Sequence, residues 1–143
     1  MAIKVGGTTV VDDSRNLTNV VSATLTGTLQ TQKIAETLVA VGNSGVAATL
    51  NLASGTVFTV TLNGNATLTV SNPTNVASFT LILLNDATAG RTVAWAGGSF
   101  KFPGGAASLS RTTTANAIDI WTFFSPDGGT TYYGTIAAKN MTA

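Results

Sequence analysis

From about Gly45 onward, apolar residues take turns with threonine in short runs separated by Gly, Pro and Asn. In VFTVTL (57–62), an extended backbone puts Phe58, Val60 and Leu62 on one face and Thr59 and Thr61 on the other. Asn63-Gly64 follows, a strong hairpin signal. ATLTV then resumes the alternation with Leu68 and Val70 in phase, and Asn72-Pro73 ends it, because proline cannot donate to a ladder. SFTLILL (78–84) is apolar at both parities and predicts a central strand. RTVAW, FKF, NAIDIWTFF and TTYYGTIAA follow, set apart by Asp86–Gly90, Gly97-Gly98, Pro103-Gly104-Gly105 and Pro126-Asp127-Gly128-Gly129. Short strands with turn signals between them predict an all-β domain, a sandwich or barrel. No internal repeat is visible.

Residues 1–45 have weaker, interrupted patterning. Ile3 and Val5 alternate with Ala2 and Lys4, Gly6-Gly7 breaks the run, and Thr8 to Val11 reads as a second short strand. The polar cluster Asp12 to Asn16 reads as a turn, and Val20 to Leu29 is again β-rich. TQKIAETLVAVG (31–42) is helix-compatible, with Thr31 as a cap, but ETLVAV suits a strand better. The expected organisation is an antiparallel β-sandwich, jelly-roll-like, over 46–143. A short extended segment, 1–45, precedes it for docking or trimerisation, with Ile3, Val5, Val10 and Leu17 as its candidate contact residues.

Composition sharpens this picture. Only 9% of residues are charged and the formal net charge is +1, against roughly a quarter charged in ordinary domains. The seven Lys and Arg are scattered from Lys4 to Lys139, so no clustered basic face is expected for nucleic acid or an anionic membrane. No apolar run reaches the roughly 18 residues of a membrane-spanning helix. The start of the chain lacks the long apolar core of a signal peptide. Low charge favours self-association. Threonine suits the pleat and bonds across strands. It keeps a sheet face wet without the repulsion that charges would create where three identical chains meet at an axis.

Candidate chemistry is sparse. The chain has no His and no Cys, which removes thiolate nucleophiles, imidazole bases and Cys or His metal sites. Its six carboxylates are Asp12, Asp13, Glu36, Asp86, Asp119 and Asp127. Asp86 and Asp127 sit at turns, where Asp bonds its own backbone. Asp119, between Ile118 and Ile120, is expected to face outward. Pro126-Asp127-Gly128-Gly129 supplies one acid where a calcium loop wants several, and the glycine pairs lack a phosphate-loop pattern. No catalytic residue, metal or cofactor is expected. The aromatics of the last third read as core, Trp121 and Phe123 on one face and Phe124 on the other. Trp95 and Tyr133 flank turns and are the candidates for ligand or partner contact. Arg91 and Arg111 are expected to pair with carboxylates or to cap interchain contacts.

Two stretches carry a resemblance. AIKVGGTTVVDDSRNLTNV (2–20) resembles the opening segment of tail-fibre and other virion proteins of tailed bacteriophages, notably those infecting cyanobacteria. The run from about Ala48 to Met141 is similar to a β-rich module of such proteins, above all FTLILLNDATAGRTVAW (79–95) and NAIDIWTFFSPDGGTTYYGTIAAKNM (116–141). The resemblance implies a non-enzymatic homotrimer, assembled in the host bacterial cytoplasm and resident in the virion. Its N-terminal segment would attach to tail, baseplate or other fibre proteins, and its β module would face partner proteins or a host surface glycan. The chain lacks a long repetitive shaft, so a short tail-fibre subunit fits its length. A capsid decoration protein is the alternative, and a monomeric carbohydrate-binding module the second alternative.

Overall fold

The computed structural model describes residues 3–5, 8–11, 34–105 and 110–142. They belong to two compact units, Met1–Ile34 and Ala35–Ala143. In the first, β1 (Ile3–Val5) pairs antiparallel with β2 (Thr8–Val11), with Lys4 opposite Thr9 and Val5 opposite Thr8. Ile3, Val5 and Val10 of the expected docking segment lie in these strands, while Leu17 lies outside the described residues. The larger unit begins at Ala35, earlier than the boundary at 45 read from texture. The reason is β3 (Leu38–Asn43), which is bonded into a sheet with later strands. ETLVAV is therefore strand, and no helix occurs among the described residues.

After β3 come β4 (Ala47–Asn51), β5 (Val57–Leu62), β6 (Ala66–Ser71), β7 (Ala77–Asn85), β8 (Val93–Ala96) and β9 (Ser99–Lys101). The last two are β10 (Ala117–Ser125) and β11 (Thr131–Thr142). One sheet has the order β3-β5-β7-β10-β11-β9 and a second the order β4-β6-β8. From β3 to β8 successive strands thus alternate between the sheets. Within each sheet the neighbours among these six run parallel. The chain coils, and each turn adds one strand to each sheet. Antiparallel pairing in this unit is confined to β7–β10 and β10–β11, and β9 joins β11 parallel. The expected antiparallel arrangement is corrected accordingly: the domain is all-β, with mixed and parallel sheets.

Asn63-Gly64 shows why a local reading went astray. The strands it joins lie in different sheets, so the turn is a corner and not a hairpin. Its side chains hold the turns of the coil together. Asn63 Oδ1 accepts the Gly45 amide at 2.8 Å, and Asn65 Oδ1 accepts the Thr92 amide at 3.0 Å. One corner is thereby tied to the corners before and after it. Backbone bonds from Thr67 to Val46 and from Ala66 to Thr92 complete the stack, both at 3.0 Å. On the opposite side Asn72 Nδ2 donates to Asn51 Oδ1 at 2.9 Å.

The coil also explains the hidden repeat. Leu38 pairs with Val57 but Val57 with Thr80; Ala47 pairs with Thr67 but Ala66 with Val93. The spacing lengthens from one turn to the next in both sheets, and in the smaller one the long corner between β7 and β8 adds to it. A repeat in space is therefore not periodic in sequence.

Side-chain alternation decides what lies between the sheets. Val39, Phe58, Leu81, Trp121 and Ile136 form one inward row across five strands of the larger sheet. Ala48, Leu68 and Trp95 form a row in the smaller one. Both rows enter a single apolar cluster. Phe79 stacks on Phe123 with centroids 4.7 Å apart and meets Phe58 and Tyr132 edge to face. Two glycines allow the close approaches this requires. Gly97, at φ +94°, lies so close to the Val70 carbonyl that a Cβ would overlap it. At Gly134 a Cβ would come within 2.5 Å of the Phe123 ring.

We expect Leu68→Ala to cost about 2–5 kcal/mol in denaturant unfolding, as for other large-to-small core changes. Thr69→Ala, one position along on the outer face, is expected to cost under about 1 kcal/mol. Comparable losses would contradict the register.

Tyr132 gives a second expectation. It is fully buried with its hydroxyl unpartnered. Burial pushes its phenol above the ordinary 10.0, and repulsion from Asp127 adds to the rise. A raised folded pKa contributes stability that is complete below the unfolded value and is lost as pH climbs through the folded value. In Tyr133→Phe protein the one remaining phenol should therefore titrate above pH 10, together with alkaline unfolding. Tyr132→Phe should leave neutral-pH stability unchanged or raised, since it removes only an unpaired polar group.

Candidate functional site

The smaller sheet stops at β8, while the larger one continues through β10, β11 and β9. Beyond β8, aromatic side chains take over as cover. Trp95 of β8 packs on Trp121, Phe123 and Phe100 with centroid distances of 5.4, 4.9 and 5.3 Å. Phe102, just after β9, lies 6.3 Å from Trp95 and 6.0 Å from Trp121. Arg91–Val93 leads into β8 and Ser110–Thr113 approaches β10. A cavity of about 370 Å³ opens between these segments, walled by Trp95, Phe102 and Trp121 and bordered by Arg91 and Arg111.

The two arginines stand differently. Arg91 is paired with Asp86, Nη2 to Oδ2 at 2.7 Å and Nε to Oδ1 at 3.2 Å. The Arg91 hydrogen bond pulls Asp86 below the usual carboxylate value, and Asp86 in turn raises Arg91. Asp86 also accepts the Thr88 amide, the turn role its position implied. Arg111 instead donates Nη2 to Asn85 Oδ1 at 2.7 Å and Nη1 to the Thr112 carbonyl. Among the described residues no carboxylate lies within ion-pair distance of it. Pairing with a carboxylate is thus found for Arg91 and not for Arg111. Burial pushes the Arg111 pKa down, and attraction to Asp119 opposes the shift.

Asn85 and Asp119 build the loop that presents Arg111. Asn85, buried at the end of β7, donates to the carbonyls of Thr112 and Thr114 at 3.0 and 2.7 Å. Asp119 is 3% exposed, which corrects the expectation that it faces outward. It shares the parity of Trp121 and Phe123, and that parity faces inward. Its Oδ2 accepts the Thr112 amide at 2.7 Å. Its Oδ1 accepts the Asn140 amide at 2.9 Å, beside the register shift between β10 and β11. A buried carboxylate that receives two backbone amides is well satisfied. Four buried polar atoms of the described residues lack a partner, Arg111 Nε, Thr112 Oγ1, Trp121 Nε1 and Tyr132 OH, and the Arg111 and Trp121 donors are on residues that line the cavity.

Trp95 and Tyr133 are not brought together. Trp95 is partly buried among aromatic rings on the inner side of the larger sheet, not exposed at a turn. Tyr133 is 54% exposed and alternates with buried Tyr132 and Gly134, so it points to the outer face. It lines a separate cavity of about 450 Å³ with Lys101, Phe102, Pro103, Gly134 and Thr135. The Pro126–Gly129 turn is held by Asp127, whose Oδ1 accepts the Thr131 amide at 2.8 Å. Sequence reasoning missed Asn85 and the unpaired setting of Arg111. The available signals were an amide ending an apolar strand and one cation in the uncharged stretch SLSRTTTA.

No protein-family profile, curated protein or solved structure matches this chain.

Asp119→Ala should lower stability by about 2–4 kcal/mol, by stranding the buried Thr112 amide and the partly buried Asn140 amide. Hydrogen exchange should accelerate at Thr112 and Asn140 more than at Ile82 in the middle of β7. Unchanged exchange at Thr112 would show that Asp119 does not hold this loop.

Proposed function

We propose that the chain is a non-enzymatic structural protein of a tailed-bacteriophage virion, a short tail-fibre subunit that works as a homotrimer. In this reading the N-terminal segment attaches to other virion proteins and the β domain makes contacts with fibre partners or the host. One observation carries it. On the outer face of the larger sheet, β3, β5, β7 and β10 themselves contribute no ionisable side chain, only Thr, Ser, Ala, Gly42, Asn43 and apolar residues such as Ile82, Leu84, Ile118, Ile120 and Phe124, while Glu36 and Lys101 lie at its borders. A protomer that meets copies of itself gains from such a face, because like charges would be stacked on like. The first turn of the coil adds to this. Among the described residues both β3 and β4 end their sheets, Leu38 in β3 and Val46 just before β4 are 59% and 83% exposed, and an unpaired strand edge invites pairing. The stretches at 2–20, 79–95 and 116–141 that resemble phage virion proteins supply the biological setting.

The test is the solution mass by light scattering. We expect a stable species of about three times the 14.5 kDa protomer. A monomer at micromolar concentration would overturn self-trimerisation. Copy number on purified particles then separates the positions: few copies fit a fibre and many fit a capsid decoration protein.

A further inference from the structure

The cavity beside β8 combines features that the assembly reading does not use. Its wall is three aromatic rings whose centroids lie 5.4–6.3 Å apart. Its border carries the hydroxyls of Thr92, Ser110 and Thr113, each on an exposed residue. Arg91 is already neutralised by Asp86. Arg111 is half-buried, held by the neutral oxygens of Asn85 and Thr112, and keeps Nε unpaired. Asp119 attracts it from beyond ion-pair distance, and a guanidinium withdrawn from water without a direct ion pair gains from an anion that completes it. Its planar fork matches a carboxylate in a bidentate pair. Trp121 Nε1–H is a further unpaired donor on the wall.

We infer that this cavity binds a saccharide bearing a carboxylate, a uronic-acid-type sugar. The Arg111 guanidinium takes the carboxylate, the face of the sugar ring lies on Trp95 and Phe102, and the Thr92, Ser110 and Thr113 hydroxyls meet the sugar hydroxyls. Charge selects the class. With Arg91 paired, Arg111 is the one cation of the cavity border without a direct ion pair among the described residues, which suits a monoanion better than a dianionic phosphate. Size agrees, since about 370 Å³ is at the small end of ligand sites and suits one ring with its substituents. This ligand class is argued from the cavity alone and does not depend on the virion reading.

The test uses the full-length protein with a galacturonate trisaccharide and the neutral galactose trisaccharide as probes. Binding is followed by tryptophan fluorescence and calorimetry. We expect the acidic probe to bind at least tenfold tighter than the neutral one and to weaken as salt rises. Arg111→Gln, which keeps a donor for Asn85, should abolish the preference. Thr92→Glu places a like charge at the rim while its backbone bond to Asn65 stays. It should weaken the acidic probe tenfold or more with an unchanged circular dichroism spectrum. Equal binding of both probes, no binding of the acidic probe, or full affinity in Thr92→Glu would overturn the inference. Displacement of the acidic probe by inorganic phosphate at lower concentration than by acetate would also overturn it, in favour of a phosphate site. None of these readouts depends on oligomer mass, so either proposal can fail alone.

Discussion

The stacking of one chain turn on the next governs this structure. Parallel ladders between β3, β5 and β7, and between β4, β6 and β8, hold only if every turn delivers its inward side chains at the same height. Val39, Phe58 and Leu81 do so in one sheet, and Ala48, Leu68 and Trp95 in the other. A slip of one residue would turn Phe58, Val60 and Leu62 outward and bring in Thr59 and Thr61. The corner asparagines prevent such slips. Asn63 and Asn65 each hold a backbone amide of a neighbouring corner, so the register is set where a side chain reads the adjacent turn.

The end of the coil follows from the same constraint. Once β8 is placed, the smaller sheet has no further strand among the described residues, and β10 and β11 add to the larger one antiparallel. Their inward faces need cover that no strand supplies. Trp95, Phe100 and Phe102 provide it, which is why the aromatic residues crowd the last third of the chain. Rings do not tile as strands do, and the cavity next to Arg111 lies where this cover runs out. The Ser110–Thr113 segment at its border is in no strand. Asn85 and Asp119 serve its backbone from the ends of two central strands.

The sequence disclosed much of this, and what it hid has a common cause. Every strand expected from alternation between residues 45 and 143 is present, because burial of one face imposes period two wherever the strand runs. Partner choice was hidden. Asn63-Gly64 looks the same at a hairpin and at a corner, since both need a tight turn, and only the destination of the next strand tells them apart. Asp119 was misplaced for a related reason. Flanked by two isoleucines, it looked like the polar member of an alternation. The parity of Trp121 and Phe123 had already fixed its side as inward. A carboxylate is tolerated there because Thr112 and Asn140 bring it two amides.

Arg111 shows how a site can escape a reading that weighs residues singly. An isolated Arg in a polar loop carries no signal until the fold supplies its neighbours. Here the Asn85 and Thr112 oxygens hold the cation without discharging it, and Trp95 and Trp121 line the same cavity. In a chain with 9% charged residues, a half-buried cation with no carboxylate in ion-pair distance among the described residues stands out against its surroundings. The few charges near the cavity are each handled locally. Arg91 is paired with Asp86, Asp119 is satisfied by two backbone amides, and Arg111 is held by neutral oxygens with Asp119 attracting it from beyond ion-pair distance.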